Sequence, residues 1–399
     1  MNTTVLKQRL EKLLAEDRVS VLQREPDALE SIIGSLDQPF VLFGAGNLGR
    51  KVLKQLKTIS KQPIAFMDNN PKLWGTDIQG VPILAPAEVA RRYDAASLGV
   101  ITTIWHGEAT DKMSDRIDPI RALGFQKIAM FGHLAWKFQE EFLPHHCLDR
   151  PSKVIESAKA IRAAFALLSD DASRQKFVDH IEWRLFLDYD LLPFPSNLDI
   201  YFNDRYASAS SSEVLYDIGG YTGDTVDSFL KSHRGSAFTQ IHSFEPSPTN
   251  FPTLQSYAVG LDQLTGKVFA HQLALGDHEG SIQVETNKGP ATRVGIGSLS
   301  VPMKTIDQFS QFHAPPTFIK IDIEGFEPQC LQGAEQTIRT SAPVFAVCVY
   351  HLQSHIWEIL LQLHSYYPNY RYFLCSELPD GWDLVLHAVP PSRKVTQAV

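Results

Sequence analysis

Cysteine is scarce. Four occur in 399 residues (Cys147, Cys330, Cys348 and Cys375), and none stands in a Cys-x-x-Cys pair. That spacing argues against a zinc ribbon or a disulfide framework and fits a reducing cytosol. Long apolar runs are also lacking. The longest, such as Val344 to Tyr350, fall far short of the ~20 residues that a membrane helix needs. Basic charge is in deficit, with 37 Lys and Arg against 45 Asp and Glu, a net charge of −8. Such a chain has no global basic footprint for nucleic acid or an anionic membrane. The apolar share of 44% and charged share of 21% are ordinary for a globular protein and exclude wholesale disorder. At roughly 150 residues per domain, the length fits two or three domains. The start, MNTTVLKQRLEKLLAED, sets Leu6, Leu10 and Leu13 among charges, so it reads as an amphipathic surface helix and not a signal peptide.

From Pro39 the pattern becomes alternating strand and helix. FVLFGAGNLGRKVLKQL is an apolar strand, a glycine turn and a helix; PIAFMDNN, LGVITT (98–103) and FQKIAMF (125–131) supply further strands. Between 153 and 192 two helices are expected. Val154, Ala158, Ile161, Phe165 and Leu168 share one face, Ser169-Asp170-Asp171 breaks it, and Phe177, Val178, Ile181 and Leu185 continue. Pro193, Pro195 and the tract ASASSS (207–212) follow as irregular connections. A second alternation starts at Glu213, with strands at 214–219, 239–245, 267–275, 317–323, 344–349, 370–375 and 384–389. The last two have no helix between them, which suggests a parallel sheet finished by an antiparallel hairpin. An insertion between Gly276 and Pro316 carries one alternating strand, SIQVE (281–285). The expected fold is α/β, with two Rossmann-like doubly wound sheets joined by a helical linker. Its parts are an N-terminal helical segment (1–38), a nucleotide-binding-type domain (39–150), the linker (151–205) and a second domain (206–399).

Gly44-Ala45-Gly46-Asn47-Leu48-Gly49 is a GxGxxG between a strand and a helix. Its glycines permit a tight turn and close approach of a phosphate to the helix start. Asp68 ends the next strand, 22 residues after Gly46, where an acid can hold ribose hydroxyls. Gly44, Gly46, Gly49 and Asp68 are therefore candidates for binding a nucleotide or nucleotide sugar. A Rossmann unit kept only for packing or substrate docking is the alternative.

The second glycine turn is Asp217-Ile218-Gly219-Gly220-Tyr221-Thr222-Gly223-Asp224. It lacks the dinucleotide spacing and the Lys-Ser/Thr pair of a P-loop. Glu245 ends the following strand, 22 residues after Gly223, and can accept two hydrogen bonds from a ribose diol. Asp277 follows the third strand, where it can meet an adenine amino group. A nucleoside site without a phosphate cradle fits S-adenosylmethionine (SAM). The candidate cofactor residues are Asp217, Gly219, Gly220, Tyr221, Gly223, Glu245 and Asp277.

The fourth strand, IKIDIEGFE, breaks the apolar rule of buried parallel strands with Lys320, Asp322 and Glu324. Charges at a strand's carboxyl end mark the ligand crevice of an open α/β sheet. Lys320 and Asp322 share a face by the two-residue period, and a pair between them is expected. Methyl transfer to a hydroxyl calls for alignment, water exclusion and a proton acceptor. Asp322, Glu324 and His351 are the catalytic candidates, with His351 as base or, alternatively, in a supporting role. Asp322 with Glu324 is also a candidate pair for a divalent cation.

DIGGYTGDTVDSF, HSFEPSPTNF, ALGDHEGSI, VPMKTIDQF and IKIDIEGFEPQCLQGAEQTI, in that order, resemble the FkbM family of SAM-dependent methyltransferases. The resemblance covers about 201 to 390. It implies a class I methyltransferase fold, with SAM across the first and second strand ends. It assigns the glycine motif to Asp217, Gly219 and Gly223, the ribose acid to Glu245 and the post-strand acid to Asp277. Many members have Gly-Ala-Asn in the first motif, where this chain has Gly219-Gly220-Tyr221. The expected function is cytoplasmic O-methylation of a small-molecule or carbohydrate hydroxyl. The alternatives are a nicotinamide-dependent oxidoreductase on the first Rossmann unit and a non-catalytic nucleotide-binding module.

Overall fold

The computed structural model describes residues 1–105, 112–192, 199–284, 297–376 and 383–395. These form two compact units. No helix among the described residues is long and apolar enough to cross a membrane.

The first unit is built on a six-stranded sheet. Its strands are β1 (Phe40–Phe43), β2 (Ala65–Met67), β3 (Asp77–Ile78), β4 (Val81–Leu84), β5 (Gly99–Thr102) and β6 (Lys127–Met130), in the order β3-β4-β2-β1-β5-β6. All neighbours are parallel except β3 with β4. The β3–β4 pair was not foreseen, because VPIL is short and carries a proline; Pro82 is tolerated on an exposed position near the sheet edge. Strand β1 is buried throughout, as a run with no polar residue must be when helices cover both faces. Helix Asn47–Thr58 docks through Gly49, Val52, Leu53 and Leu56. The N-terminal helices are Thr3–Leu14 and Arg18–Ile33, and Leu6, Leu10 and Leu13 are buried, which makes the expected amphipathic face a packing face. Ala28, Leu29 and Ile33 enter the same core as β1 and its helix.

Residues 151–205 divide between the units. Three helices form here, Pro151–Glu156, Ala158–Leu167 and Asp171–Phe186, because Ser157 interrupts the first run. Residues 160–177 cluster with the second unit and 178–192 with the first. Pro193 and Pro195 lie outside the described residues.

The second unit holds a seven-stranded sheet. Its strands are β7 (Glu213–Ile218), β8 (Phe238–Phe244), β9 (Val268–His271), β13 (Phe318–Ile321), β14 (Val344–Cys348), β15 (Arg371–Cys375) and β16 (Val385–Val389). The order is β15-β16-β14-β13-β7-β8-β9, and β16 runs antiparallel between β14 and β15. This is the class I methyltransferase arrangement, with the expected antiparallel finish. The run 267–275 is not one strand. It breaks after His271, and β10 (Ala274–Leu275) leaves for a small sheet with β11 (Gly280–Val284) and β12 (Leu299–Lys304). Glu285, the last residue of the expected strand SIQVE, lies outside the described residues.

The chain enters this sheet at a buried carboxylate. Glu213, fully buried, is held by Arg393 at 2.7 and 2.8 Å, by Arg234 at 3.1 Å and by the Thr317 hydroxyl. Burial opposes its charge, but Arg393, the Thr317 hydroxyl and the Ser210 N–H outweigh that and keep its pKa low. Removing one partner of a buried ion pair costs about 3–5 kcal/mol. Glu213→Ala is therefore expected to lower unfolding stability by about that amount in denaturant titration; a loss well under 1 kcal/mol would contradict this role.

Candidate functional site

Strand β7 has β8 on one side and β13 on the other, so its carboxyl end is a topological switch point, where open α/β sheets bind ligands. The second glycine turn sits there. Gly219 has φ +84°, and a Cβ on it would lie 1.9 Å from the Asp322 carbonyl oxygen. Only glycine lets the ends of β7 and β13 approach this closely. A Cβ on Gly220 would lie 2.0 Å from Ser243 Oγ. Gly223, at φ +99°, turns the chain into helix Asp224–Lys231.

Beneath the turn lies a buried ion pair. Lys320 Nζ is 3.2 Å from Asp217 Oδ1 and donates to the Gly219 carbonyl at 2.7 Å. Ser243 donates to Asp217 Oδ2 at 2.6 Å. Burial pushes the Asp217 carboxyl up, against the pull of Lys320 and Ser243. The expected Lys320–Asp322 pair is thus replaced. Lys320 stands directly opposite Asp217 in the parallel register, whereas Asp322 lies beyond the strand end.

Glu245, 5% exposed, accepts from the backbone N–H of Tyr221 at 3.0 Å and of Ser247 at 2.8 Å. The Asn250 side chain also hydrogen-bonds this carboxylate, so of its roughly four lone pairs about one remains for a ligand. Burial raises its pKa to about 6, against the two N–H groups. Tyr221 holds this position with φ +43°, a left-handed conformation uncommon away from glycine. Glu324, at φ +58°, is the second such residue of the cleft. Strained backbone of this kind clusters at functional sites.

Asp322 projects into the cleft from the turn after β13. Tyr201 donates to its Oδ2 at 3.1 Å and Tyr350 to its Oδ1 at 3.5 Å. Behind it, His351 Nε2 lies 3.3 Å from Asp322 Oδ1, and His351 Nδ1 lies 2.8 Å from Glu327 Oε1. Glu327 also accepts from the Ile323 N–H and faces His355 at 3.2 Å. Burial would lower the His351 pKa, but the Glu327 and Asp322 carboxylates outweigh it and hold the ring well above its ordinary value. Asp322 is pulled down to about 2: burial opposes its charge, while His351 and Lys320 favour it.

The ligand atoms of Asp322, Glu327 and His351 lie within 4.8 Å of one another. Any cation here would use Glu327, not the expected Glu324, whose nearest oxygen is 3.9 Å from His351 Nε2. Neither nitrogen of His351 faces away from a carboxylate, so the cluster closes on itself as an ion pair.

Thus Asp217, Gly219, Gly220, Tyr221, Gly223, Glu245, Asp322, Glu324 and His351 gather at one corner of the sheet. The cleft there has a cavity volume of about 180 Å3. Asp277 is not among its lining residues and pairs with His278 at 2.7 Å. Tyr201, Ser243, Tyr350 and Glu327 were missed as site residues. Glu327 had a signal, as the last acid of IKIDIEGFE; the tyrosines had none.

In the first unit, Gly44, Gly46, Gly49 and Asp68 also meet. Asp68 accepts from the Ala45 and Asn70 N–H groups, both at 2.8 Å. A Cβ on Gly49 would lie 2.2 Å from the Gly44 carbonyl, so packing explains that glycine. Gly46 has no atom within 4 Å of an added Cβ, so packing does not explain it.

Residues 217–376 match the family model of the methyltransferase FkbM domain. They form an FkbM methyltransferase domain. The methyltransferase FkbM from Methylobacillus flagellatus KT is similar in fold over 96% of this chain and 98% of its own, at 20% identity and a TM-score of 0.73. UDP-D-quinovosamine 4-dehydrogenase from Vibrio fischeri aligns over 23% of this chain and 75% of its own, at 22% identity and a TM-score of 0.20. Precorrin-8w decarboxylase from Methanobacterium thermoautotrophicum aligns over 49% and 91%, at 12% identity and a TM-score of 0.30. The last two are too dissimilar to carry an argument. No curated protein matches the chain.

The charge assignment of the domain is testable. Nitrogen-15 NMR of histidine-labelled protein is expected to show both ring nitrogens of His351 protonated at neutral pH. Glu327→Gln should return the ring toward ordinary titration. A neutral His351 ring in the unmodified protein would contradict the assignment.

Proposed function

We propose that this domain transfers a methyl group from SAM to a hydroxyl of a sugar, glycoconjugate or secondary-metabolite acceptor. One observation carries the reading: the Gly219–Gly223 turn, the Glu245 carboxylate and the Asp322 carboxylate converge on a single cleft at the switch point. The donor set suits adenosine without phosphates, because Lys320, the only basic residue lining the cleft among the described residues, is already paired with Asp217. Bound there, SAM would supply a methyl group on a positively charged sulfur. The turn would seat the nucleoside through its backbone, and Glu245 would accept from the ribose hydroxyls. Asp224, Glu245, Asp322 and Glu324 make the lining acidic, which favours a cationic cofactor.

Asp322 stays ionised at neutral pH, and Tyr201 and Tyr350 fix its oxygens. It would orient the acceptor hydroxyl and accept its proton as the methyl group passes from the sulfur to the oxygen. His351 does not act as base in this account, since a ring held protonated has no free lone pair. It positions Asp322. For the first unit, the unfilled space at Gly46 supports a nucleotide or nucleotide sugar. The four free, buried cysteines support a reducing, cytoplasmic setting.

Calorimetry with S-adenosylhomocysteine is expected to show micromolar binding. Glu245→Ala should weaken it by about 1–3 kcal/mol, the cost of leaving polar partners unpaired. Because the Glu245 carboxyl is raised to about 6, affinity should fall as pH drops below that value. Unchanged affinity in the variant would remove Glu245 from the ribose. Asp322→Asn should reduce turnover far more than cofactor affinity; the reverse pattern would take Asp322 out of catalysis.

A further inference from the structure

A second cluster of ligating side chains lies outside the cleft. His242, in the middle of β8, and His271, the last residue of the edge strand β9, point at each other with His242 Nδ1 and His271 Nε2 3.0 Å apart. His313 follows helix Ile306–Ser310, and its ring centroid is 5.2 Å from His242 and 6.2 Å from His271. We propose that His242, His271 and His313 form a binding site for a zinc-class transition metal.

The His242 and His271 rings are oriented as metal ligands are. His242 Nε2 faces Gln240 Oε1 at 3.2 Å, so it carries the hydrogen and leaves the Nδ1 lone pair toward His271. His313 Nδ1 donates to the Phe309 carbonyl at 3.0 Å, which leaves the Nε2 lone pair free to ligate. Ligating histidines commonly donate their other N–H to a carbonyl in this way, which fixes tautomer and ring orientation. The 3.0 Å separation is close to the spacing of two nitrogens bound to one ion at 2.0–2.1 Å each. In the metal-free state, His271 Nε2–H donates to His242 Nδ1. On binding, His271 shifts that proton to its own Nδ1, so none is released.

Access and ligand chemistry agree. His242 is buried, while His313 is exposed beside Phe312, 80% exposed, so a metal has an entry path. His313 stacks on Phe309 with centroids 3.9 Å apart, so to become the third ligand it would rotate off this stack and give up its bond to the Phe309 carbonyl. Three neutral imidazoles suit Zn2+, Ni2+ or Cu2+ and not Mg2+ or Ca2+. The metal would tie the free edge of the sheet to the segment after helix Ile306–Ser310.

Titration of the metal-free full chain with zinc chloride in a calorimeter is expected to show one site. It should be lost in His271→Gln, and weakened at least tenfold in His313→Ala, a rim change that spares the core. Gln240→Leu should weaken it about tenfold through the His242 tautomer. Zinc should raise Tm in the unmodified chain and not in His271→Gln. Glu327→Gln should retain zinc binding, which separates this site from the cluster behind Asp322. Absence of zinc binding, or binding lost in Glu327→Gln but kept in His271→Gln and His313→Ala, would overturn the proposal.

Discussion

The ion pair between Lys320 and Asp217 is the constraint on which the methyltransferase site depends. Both side chains are buried, at 1% and 0% exposure, and neither charge has water to fall back on. Breaking such a pair leaves an uncompensated charge in the core, so the two groups hold each other in register. They sit at the ends of adjacent strands, and Lys320 also holds the Gly219 carbonyl. The close approach of β7 and β13 that only Gly219 allows is thereby locked. From that lock follow the direction of the glycine turn, the seat of Glu245 against Tyr221 N–H, and the exit of Asp322 into the cleft.

Charge is layered outward from this pair. Lys320 answers Asp217 inside the sheet. His351 stands between Glu327 and Asp322 one layer further out. At the surface of the cleft, Glu245 and Glu324 line the space beside Asp224. The His351 layer holds the Asp322 and Glu327 carboxylates ionised, and the outer one leaves negative charge facing the space. Such an arrangement favours a cationic cofactor and a carboxylate that orients an acceptor. It also explains why a histidine at this strand end is a poor base: its environment favours the imidazolium.

Much of this was legible in the sequence. Both glycine turns, the acids 22 residues beyond them and the polar interruption of β13 are local patterns, and the structure brings each set together. The strand run 267–275 misled because the polar pair His271-Gln272 inside it does not show by itself that the chain changes sheets there. Lys320 was matched to Asp322 by its own strand's period, but its partner came from the neighbouring strand, and cross-strand register is a tertiary fact. Tyr201 reached Asp322 across 121 positions of chain, a distance no local motif spans. Glu327 sat inside the most telling segment, yet only the fold shows that it, and not Glu324, bonds His351.

The most direct test of the account is a crystal structure of the full chain with S-adenosylhomocysteine. The account predicts the ribose hydroxyls on the Glu245 carboxylate, the nucleoside over the Gly219–Gly223 turn and the sulfur facing Asp322. A ligand bound elsewhere on the domain, or a ribose that leaves Glu245 untouched, would contradict it.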